Sequence, residues 1–192
     1  SFASDISTAV GAEQLVVHTI GKLGGLGVIV GNAGIWPVEE VPVSDLGDDR
    51  WRQTMRQNVD SMFFTTRAAL KVMEPNGRVV LVASTAGQRG EAMHADYGAS
   101  KGAMIAFVKS VAIEVAAQGI TVNAVAPGWV DTEMCDIPYA DGGRERIAAG
   151  IPVGRVATPD DIAFPCLFLC TDEARHITGE ILNVNGGSVL CG

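Results

Sequence analysis

Two side chains suited to proton transfer, Tyr97 and Lys101, lie four positions apart in a segment with helical character. Residues at that spacing share one face of an α-helix, so the phenol and the ammonium can reach the same small volume. An isolated phenol, with a pKa of about 10, is a poor acid or base near neutral pH. A cation about 4 Å away favours the phenolate by about 4 kcal/mol at an effective dielectric constant of about 20. We therefore expect Lys101 to lower the pKa of Tyr97. For the pair alone, an ordinary helix start with a solvated lysine is the alternative.

Ser84 is a third polar side chain that can join this pair. Residues 79–82 form an apolar run that predicts a buried strand, and Ser84 follows in a turn of small residues. A loop comes next, and the predicted helix opens with Tyr97. Ligands of open α/β sheets bind just outside the carboxyl ends of the strands, so this turn is a candidate site.

A second strand end carries three small or polar residues, Asn32, Ala33 and Gly34. They follow the β-branched residues 28–30, which predict a short buried parallel strand. Side chains this small let a cofactor approach the backbone closely, although an ordinary strand-to-loop turn fits the tripeptide equally well. The glycine-rich stretch 24–27 follows a helix and precedes a strand, which is the reverse of a dinucleotide-binding fingerprint.

The remaining periodicity predicts helices that alternate with strands, as in an α/β fold. We expect residues 1–7 to be the tail of a strand that runs into a loop. Residues 129–157 carry few periodic signals, and we expect them to be a mobile segment that covers the substrate. A capping pattern at Thr158 predicts that a helix begins there. The other predicted elements are helices over residues 8–22, 44–73 and 97–119 and strands over residues 120–125 and 181–184.

Asn58 lies among apolar residues on the long predicted helix. Such an asparagine is usually a satisfied polar group or marks a mild irregularity of the helix, and it could also hold a water beside an active site. One side of the Tyr97 helix is unusually smooth, which permits close packing against a neighbouring helix or subunit. The small residues on that side are Gly98, Ala99, Gly102, Ala103 and Ala106.

Composition argues against several classes of function. A chain of 192 residues, of which 47% are hydrophobic, is large enough for one globular domain with a real core. A net charge of −8 and the lack of a basic stripe argue against nucleic acid as a partner. No apolar run approaches the roughly 20 residues that cross a membrane, so we expect no membrane association and a cytoplasmic location.

The four cysteines show no spacing typical of a metal site. Cys166 and Cys170 lie one helical turn apart among apolar residues, where small buried hydrophobic side chains are more expected than metal ligands. We therefore predict no metal site. Free thiols also fit a reducing cytoplasm.

Taken together, these residues resemble the short-chain dehydrogenase/reductase family over nearly the whole chain. The features that match are Asn32-Ala33-Gly34 after a strand, Asn58 on a long helix, Ser84 thirteen residues before Tyr97, the pair of Tyr97 and Lys101, and Pro127-Gly128 with Thr132 four residues after Gly128. Each feature alone is weak, whereas five in one order at matching spacings are specific. The resemblance implies a Rossmann-type doubly wound parallel sheet in three α/β/α layers. It also implies hydride transfer between a nicotinamide and a carbonyl or alcohol.

The same resemblance implies a role for each matching residue. Tyr97 would protonate the carbonyl oxygen as hydride arrives, and Ser84 would hydrogen-bond that oxygen. Lys101 would lower the pKa of the tyrosine and bind the nicotinamide ribose, and Asn58 would hold a water that relays protons to Lys101. The residues expected to contact the cofactor are Asp5 at the adenine, Asn32, Ala33 and Gly34 along its length, and Pro127, Gly128, Val130 and Thr132 at the nicotinamide end, together with Tyr97 and Lys101.

Within the family, residues 84–88 and 127–132 look most like the corresponding segments of 3-oxoacyl-[acyl-carrier-protein] reductases. This likeness implies NADP(H) as the favoured cofactor, with NAD(H) possible, and a 3-oxoacyl thioester of acyl carrier protein or coenzyme A as substrate. It also implies a homotetramer or homodimer. Sugar, polyol and steroid dehydrogenases share the same motifs, so these substrate classes stay open as alternatives.

The chain departs from the family pattern at its beginning. The family opens with two strand-helix units and a glycine-rich phosphate-binding turn, none of which is found in residues 1–192. We therefore expect one Rossmann-type domain that lacks these units, with the strand at residues 28–30 exposed as an edge. A catalytically silent homologue that assembles with partners is the alternative to an active enzyme.

Overall fold

Four parallel strands form the central sheet, and their order in space follows their order in the chain. The computed structural model describes residues 1–191. The strands are β1 (Val28–Gly31), β2 (Arg78–Val82), β3 (Thr121–Pro127) and β4 (Ile181–Val184). Parallel pairing places every carboxyl end at one edge of the sheet, so the segments that follow β1, β2 and β3 meet there.

Helices cover both faces of this sheet and give the three α/β/α layers that the sequence predicted. The α-helices are α1 (Ala9–Leu23), α2 (Asp48–Met55), α3 (Ser61–Leu70), α4 (Thr85–Arg89), α5 (Ala95–Val115), α6 (Asp136–Tyr139), α7 (Gly143–Ala149) and α8 (Pro159–Leu169). On one face, α1, α3 and α5 enclose the main apolar core. On the other face, α8 packs against β2, β3 and β4. The predicted fold class is therefore confirmed.

The strands differ in burial according to their place in the sheet. β2 and β3 are central, and side chains such as Val79 and Val122 are fully buried between the two helical layers. β1 pairs only with β2 among residues 1–191, and its Val28 and Val30 are 46% and 47% exposed. The expectation that this apolar strand forms an exposed edge is confirmed.

Residues 1–7 contain no strand, so the predicted strand tail is wrong, whereas the predicted loop is present and ends in a turn at residues 6 and 7. The backbone N–H of Ile6 donates to the carbonyl of Ser4, and the N–H of Thr8 donates to the carbonyl of Asp5, both at 3.1 Å. These local hydrogen bonds lead directly into the cap of α1, where the Thr8 hydroxyl accepts from Gly11 N–H. The backbone groups that a strand would offer to a neighbour are thus used within the segment.

The long helix predicted over residues 44–73 is present but shorter, and it changes geometry in the middle. α2 runs into a five-residue π-helical turn, Arg56–Asp60, which continues directly into α3. Asn58 lies in this turn. The interpretation of Asn58 as a mark of helix irregularity is therefore confirmed. π-turns inside α-helices are rare and are frequent at functional sites.

Residues 129–157 contain more regular structure than the sequence indicated. Two short helices, α6 and α7, lie in this segment although its sequence shows few periodic signals. Its mobility and its role in covering the substrate stay predictions. Helices of four and seven residues offer too few turns to show a period. The Tyr139 hydroxyl donates to the carbonyl of Val130 at 3.0 Å, and Arg144 pairs with Asp131 at 2.6 Å. These contacts tie the two helices to the end of β3.

The predicted start of α8 is confirmed by a complete capping box. The Thr158 hydroxyl accepts from Asp161 N–H, while the Asp161 carboxylate accepts from Thr158 N–H at 2.7 Å. Cys166 on this helix is buried in the core, as expected, and Cys170 at the end of the helix is partly buried. Within residues 1–191, no helix is long and apolar enough to cross a membrane.

Candidate active site

A cavity of about 1470 Å³ opens at the carboxyl ends of β1, β2 and β3. Its wall combines the segments after all three strands with parts of α5, α7 and α8. Ten of the twelve residues proposed from the sequence line it: Asn32, Ala33, Gly34, Ser84, Tyr97, Lys101, Pro127, Gly128, Val130 and Thr132. The two exceptions are Asn58 and Asp5. The topology therefore gathers residues from four distant parts of the chain around one space.

Ser84 is held in place because it caps α4. Its backbone is extended, and its Oγ accepts a hydrogen bond of 3.1 Å from the backbone N–H of Ala86. Serine is among the preferred residues at this position because its oxygen satisfies a helix N–H that has no partner within the helix. The bond uses a lone pair of the oxygen, so the Ser84 proton remains available for another acceptor. No sequence pattern predicted α4, which has only five residues.

Tyr97 lies in the first turn of α5, which begins two residues earlier than predicted. Burial raises the pKa of Tyr97 to about 12, although the adjacent Ser84 hydroxyl acts to lower it. Lys101 is not among the groups that shift this pKa, so the expectation that it lowers the pKa of Tyr97 stays a prediction. The Lys101 Nζ lies 5.8 Å from the centre of the Tyr97 ring.

Lys101 is buried more completely than Tyr97, and its ammonium donates a hydrogen bond to the backbone. The Nζ donates a hydrogen bond of 2.8 Å to the carbonyl oxygen of Val82, the last residue of β2. Burial lowers the pKa of Lys101 to about 8, because the charged form loses hydration. This pKa lies close to physiological pH, and a group with such a pKa is well suited to proton transfer at neutral pH.

Gly34 lies directly beside Lys101 and Asn58. A Cβ atom built on Gly34 would stand 3.0 Å from Asn58 Oδ1 and 3.6 Å from Lys101 Nζ. The absence of a side chain therefore keeps the ammonium and the surrounding backbone open to the cavity. A close backbone approach of this kind is one of the usual reasons for a glycine at a ligand site.

Asn58 is fully buried behind the cavity wall and organises the segment after β1. Its Oδ1 accepts from the N–H of Ile35 at 2.7 Å, and its Nδ2 donates to the carbonyl of Ile35 at 2.9 Å. Nδ2 also donates to the Ser100 hydroxyl on α5 at 3.0 Å. This amide thus links three elements around Lys101. Its interpretation as a satisfied polar group is confirmed, and its water-holding role stays a prediction.

Close packing of α4 on α5 brings Ser84 next to Tyr97. A Cβ atom on Gly87 would lie 2.5 Å from the backbone carbon of Lys101, and one on Gly98 would lie 3.3 Å from the backbone N of Glu91. The smooth side of α5 therefore packs partly against a neighbouring helix of the same chain, as its small residues predicted. Larger side chains at these positions would separate the two helices that carry the site.

Asp5 lies outside the cavity and is engaged elsewhere. Its carboxylate accepts from the Ser7 hydroxyl at 2.5 Å and pairs with Arg56 at 2.8 Å. The hydrogen bond from Ser7, followed by Arg56, lowers the pKa of Asp5. The expected contact between Asp5 and an adenine stays a prediction.

Three further cavity residues were not identified from the sequence, namely Trp36, Glu91 and Trp129. The two indole rings meet edge to face, with centroids 6.0 Å apart. Each tryptophan comes soon after a strand-end glycine, Gly34 or Gly128. This repeated pattern could have identified both tryptophans as cavity residues. Glu91 lies in the loop between Ser84 and Tyr97, where no periodicity marks it.

A buried ion pair supports the first turn of α5 and was also missed. Asp96 is fully buried, accepts from the Thr54 hydroxyl at 2.8 Å and pairs with Arg50 at 3.1 Å. Burial acts to raise the pKa of Asp96, but the hydrogen bonds from Arg50 and Thr54 outweigh it, and the pKa is lowered. The residue next to Tyr97 is thereby anchored to α2.

This fold and cavity define a Rossmann-type α/β protein whose polar residues converge at the carboxyl edge of its sheet. A family model described as "Enoyl-(Acyl carrier protein) reductase" matches residues 2–188. The 3-oxoacyl-[acyl-carrier-protein] reductase FabG of Salmonella typhimurium is 37% identical over 180 residues, which are 93% of this chain and 72% of that protein. The chain belongs to the short-chain dehydrogenase/reductase family.

Solved structures agree with this assignment. The crystal structure of a short-chain dehydrogenase/reductase from Brucella melitensis, described as a glucose/ribitol dehydrogenase, superposes with a TM-score of 0.92 at 32% identity. That superposition covers 99% of this chain and 76% of the other. A structure of ElxO with NADPH bound gives a TM-score of 0.90 at 27% identity and covers 97% of this chain and 77% of the other.

Proposed function

We propose that this chain is an NAD(P)-dependent oxidoreductase that reduces a carbonyl to a secondary alcohol, with NADPH and a 3-oxoacyl thioester as the favoured pair of substrates. One observation carries the proposal. The hydroxyls of Ser84 and Tyr97 lie close together at the carboxyl end of β2, in one cavity with the buried ammonium of Lys101. A carbonyl oxygen placed between the two hydroxyls would meet hydrogen-bond donors that are already in position.

Each site residue would have a different role in carbonyl reduction. Tyr97, with its pKa raised to about 12, stays protonated at neutral pH and is therefore ready to donate. Carbonyl reduction requires such a donor, because the oxygen gains a proton as hydride reaches the carbon. Ser84 would donate a hydrogen bond to the same oxygen and stabilise its developing charge. Lys101, with a pKa of about 8, would return a proton to Tyr97.

The cavity fits a nicotinamide cofactor. Gly34 leaves open the space beside Lys101 that a Cβ atom would fill, and the ends of β1 and β3 form opposite walls. The cavity residues that would hold the cofactor are Asn32, Ala33, Gly34, Pro127, Gly128, Val130 and Thr132, with Lys101 at the ribose. Asp5, which lies outside the cavity, would contact the adenine. When bound, the nicotinamide supplies or accepts the hydride. Asn58 would hold a water between this region and Lys101.

The proposed substrate and its carrier are inferred from the similarity of this chain to named relatives. The reductase from Salmonella typhimurium is named for 3-oxoacyl-[acyl-carrier-protein], and ElxO was solved with NADPH. These names support a 3-oxoacyl thioester of acyl carrier protein or coenzyme A here, with NADPH favoured over NADH. We also propose that the chain acts as a homotetramer or homodimer in the cytoplasm.

Titration with NADPH followed by a turnover assay with acetoacetyl-CoA tests the proposal. Two of the three tryptophans, Trp36 and Trp129, line the cavity, so cofactor binding should quench the protein fluorescence. Addition of acetoacetyl-CoA should then oxidise NADPH. A catalytically silent homologue would show neither signal. Binding of NADPH without oxidation of it by any carbonyl compound would contradict the proposed enzyme activity.

A further inference from the structure

The ion pair between Arg50 and Asp96 supports the helical turn that carries Tyr97. Asp96 lies in the first turn of α5, and among residues 1–191 it is the only buried carboxylate. Its side chain is 0% exposed, and that of Arg50 is 18% exposed. The carboxylate accepts from Arg50 Nε at 3.1 Å and from the Thr54 hydroxyl at 2.8 Å. The proposed reduction gives this charged cluster no role so far.

The Arg50 guanidinium is held from a second side as well. Its Nη1 donates to the backbone carbonyl of Glu39 at 2.7 Å, while its Nη2 lies 3.4 Å from the other oxygen of Asp96. The segment that contains Glu39 is itself bound to the loop before α5, because Val41 N–H donates to the carbonyl of Met93 at 3.0 Å. Arg50 is therefore a fixed anchor, and Asp96 connects this anchor to α5.

Stability alone is a weak reason for a buried ion pair. The cost of removing two charges from water offsets much of their attraction, and apolar side chains of similar volume often stabilise a buried position equally well. The directional contacts of a guanidinium with carboxylate and carbonyl oxygens instead select one geometry. Geometry matters beside a general acid, because a displacement of about 1 Å can lower a reaction rate by about 100-fold.

We propose that Asp96, anchored by Arg50, is a positioning residue for proton transfer: it holds the first turn of α5 so that the Tyr97 hydroxyl stays beside Ser84 and the reacting carbonyl oxygen. This inference rests on the proposed function and adds the ion pair to the groups on which the reduction depends. Both members of the pair lie outside the cavity wall, so Asp96 acts through Tyr97 and does not touch the substrate or the cofactor.

Asp96→Asn tests the role of the charge, because the variant keeps the size of the side chain and an acceptor oxygen for Thr54. With NADPH and acetoacetyl-CoA, we expect kcat to fall by at least about tenfold. KM for acetoacetyl-CoA and the dissociation constant for NADPH should change by less than about threefold, because the cavity wall is unaltered. Arg50→Met, which leaves the Asp96 carboxylate without its cation, should lower kcat by a similar factor.

Arg52→Met is the matched control for Arg50→Met. It breaks an exposed ion pair with Asp48 on the same helix, α2, and its kcat should stay at the wild-type value. A wild-type kcat in Asp96→Asn would overturn the inference. A change in KM or in NADPH binding as large as the change in kcat would also overturn it, since the residue would then support the whole cavity and not the proton donor.

A fully apolar variant separates positioning from stability. In Arg50→Met/Thr54→Val/Asp96→Leu, the buried charges and the hydroxyl are removed together, so none of them is left without a partner. The urea midpoint should lie within about 0.5 M of the wild-type value. The value of kcat should nevertheless stay at least about tenfold lower, because apolar contacts are not directional. Wild-type kcat in this variant would show that the cluster is merely structural.

Hydrogen exchange gives a readout that does not depend on turnover. In Asp96→Asn the backbone amides of residues 98–101 should exchange at least about tenfold faster than in Arg52→Met, because the first turn of α5 has lost its anchor. Unchanged exchange would overturn the anchoring role of Asp96 whatever the activity. A wild-type protein that oxidises no NADPH with acetoacetyl-CoA or any other carbonyl compound would refute the proposed function instead.

Discussion

The ammonium of Lys101 donates a 2.8 Å hydrogen bond to the carbonyl oxygen of Val82, which ties the α5 lysine to the carboxyl end of β2. Burial at this position lowers the pKa of Lys101 from 10.5 to about 8. Between these two values the unfolded chain binds a proton that the folded chain has released. The free energy of unfolding that Lys101 contributes should therefore increase with pH across this window.

Substitution Lys101→Met isolates this effect. Relative to the variant, the wild-type protein should gain about 2 kcal/mol in free energy of unfolding between about pH 8 and pH 10, since one pKa unit corresponds to about 1.4 kcal/mol. Urea denaturation at several pH values measures both proteins. The subtraction removes contributions from the cysteines and tyrosines, which both proteins share. A wild-type-to-variant difference that stays constant with pH would show that the Lys101 pKa is not lowered.

A side chain at Gly34 should damage cofactor binding. In Gly34→Ala the new methyl group would stand 3.0 Å from Asn58 Oδ1 and 3.6 Å from Lys101 Nζ, in the space assigned to the cofactor. We expect the dissociation constant for NADPH, measured by fluorescence titration, to rise by about tenfold or more. Gly27→Ala is the control, because no atom lies within 4 Å of its added Cβ. Similar dissociation constants for NADPH in both variants would show that the cofactor does not bind beside Gly34.

Loss of the Asn58 amide should destabilise the protein. In Asn58→Ala both backbone groups of Ile35 and the Ser100 hydroxyl lose their partner at once. Each such loss in a buried setting costs about 1–3 kcal/mol, so we expect the free energy of unfolding to fall by at least about 2 kcal/mol. Gln53→Ala, at an exposed position of α2, should change it by less than about 0.5 kcal/mol. Equal stabilities would show that the two hydrogen bonds with Ile35 are dispensable.

The sequence predicted the sheet and the converging residues well, because the relevant signals are local and strong. β2 and β3 are rich in apolar residues, and the capping box at Thr158 marks the start of α8. Ser84, Tyr97 and Lys101 follow from spacing and from the resemblance to a known family. Parallel pairing then brings their segments together at one edge of the sheet.

Other features depend on tertiary contacts that no local pattern reveals. The five-residue helix α4 begins at the Ser84 cap, and it packs on α5 through Gly87 and Gly98. The pKa of Tyr97 is raised although the sequence led us to expect a lowered one, because burial, which no local pattern reveals, dominates the pKa of both Tyr97 and Lys101. Glu91 carried no periodic signal, and only the tertiary structure shows that it lines the cavity.

The central claim is that Tyr97 donates the proton during carbonyl reduction. Its most direct test compares the wild-type protein with Tyr97→Phe, a change that removes only the phenol oxygen. We predict that the rate of NADPH oxidation with acetoacetyl-CoA falls by about 10²–10⁴-fold, the usual contribution of a general acid, while the dissociation constant for NADPH changes by less than about threefold. A Tyr97→Phe protein that binds NADPH and oxidises it at the wild-type rate would contradict the account.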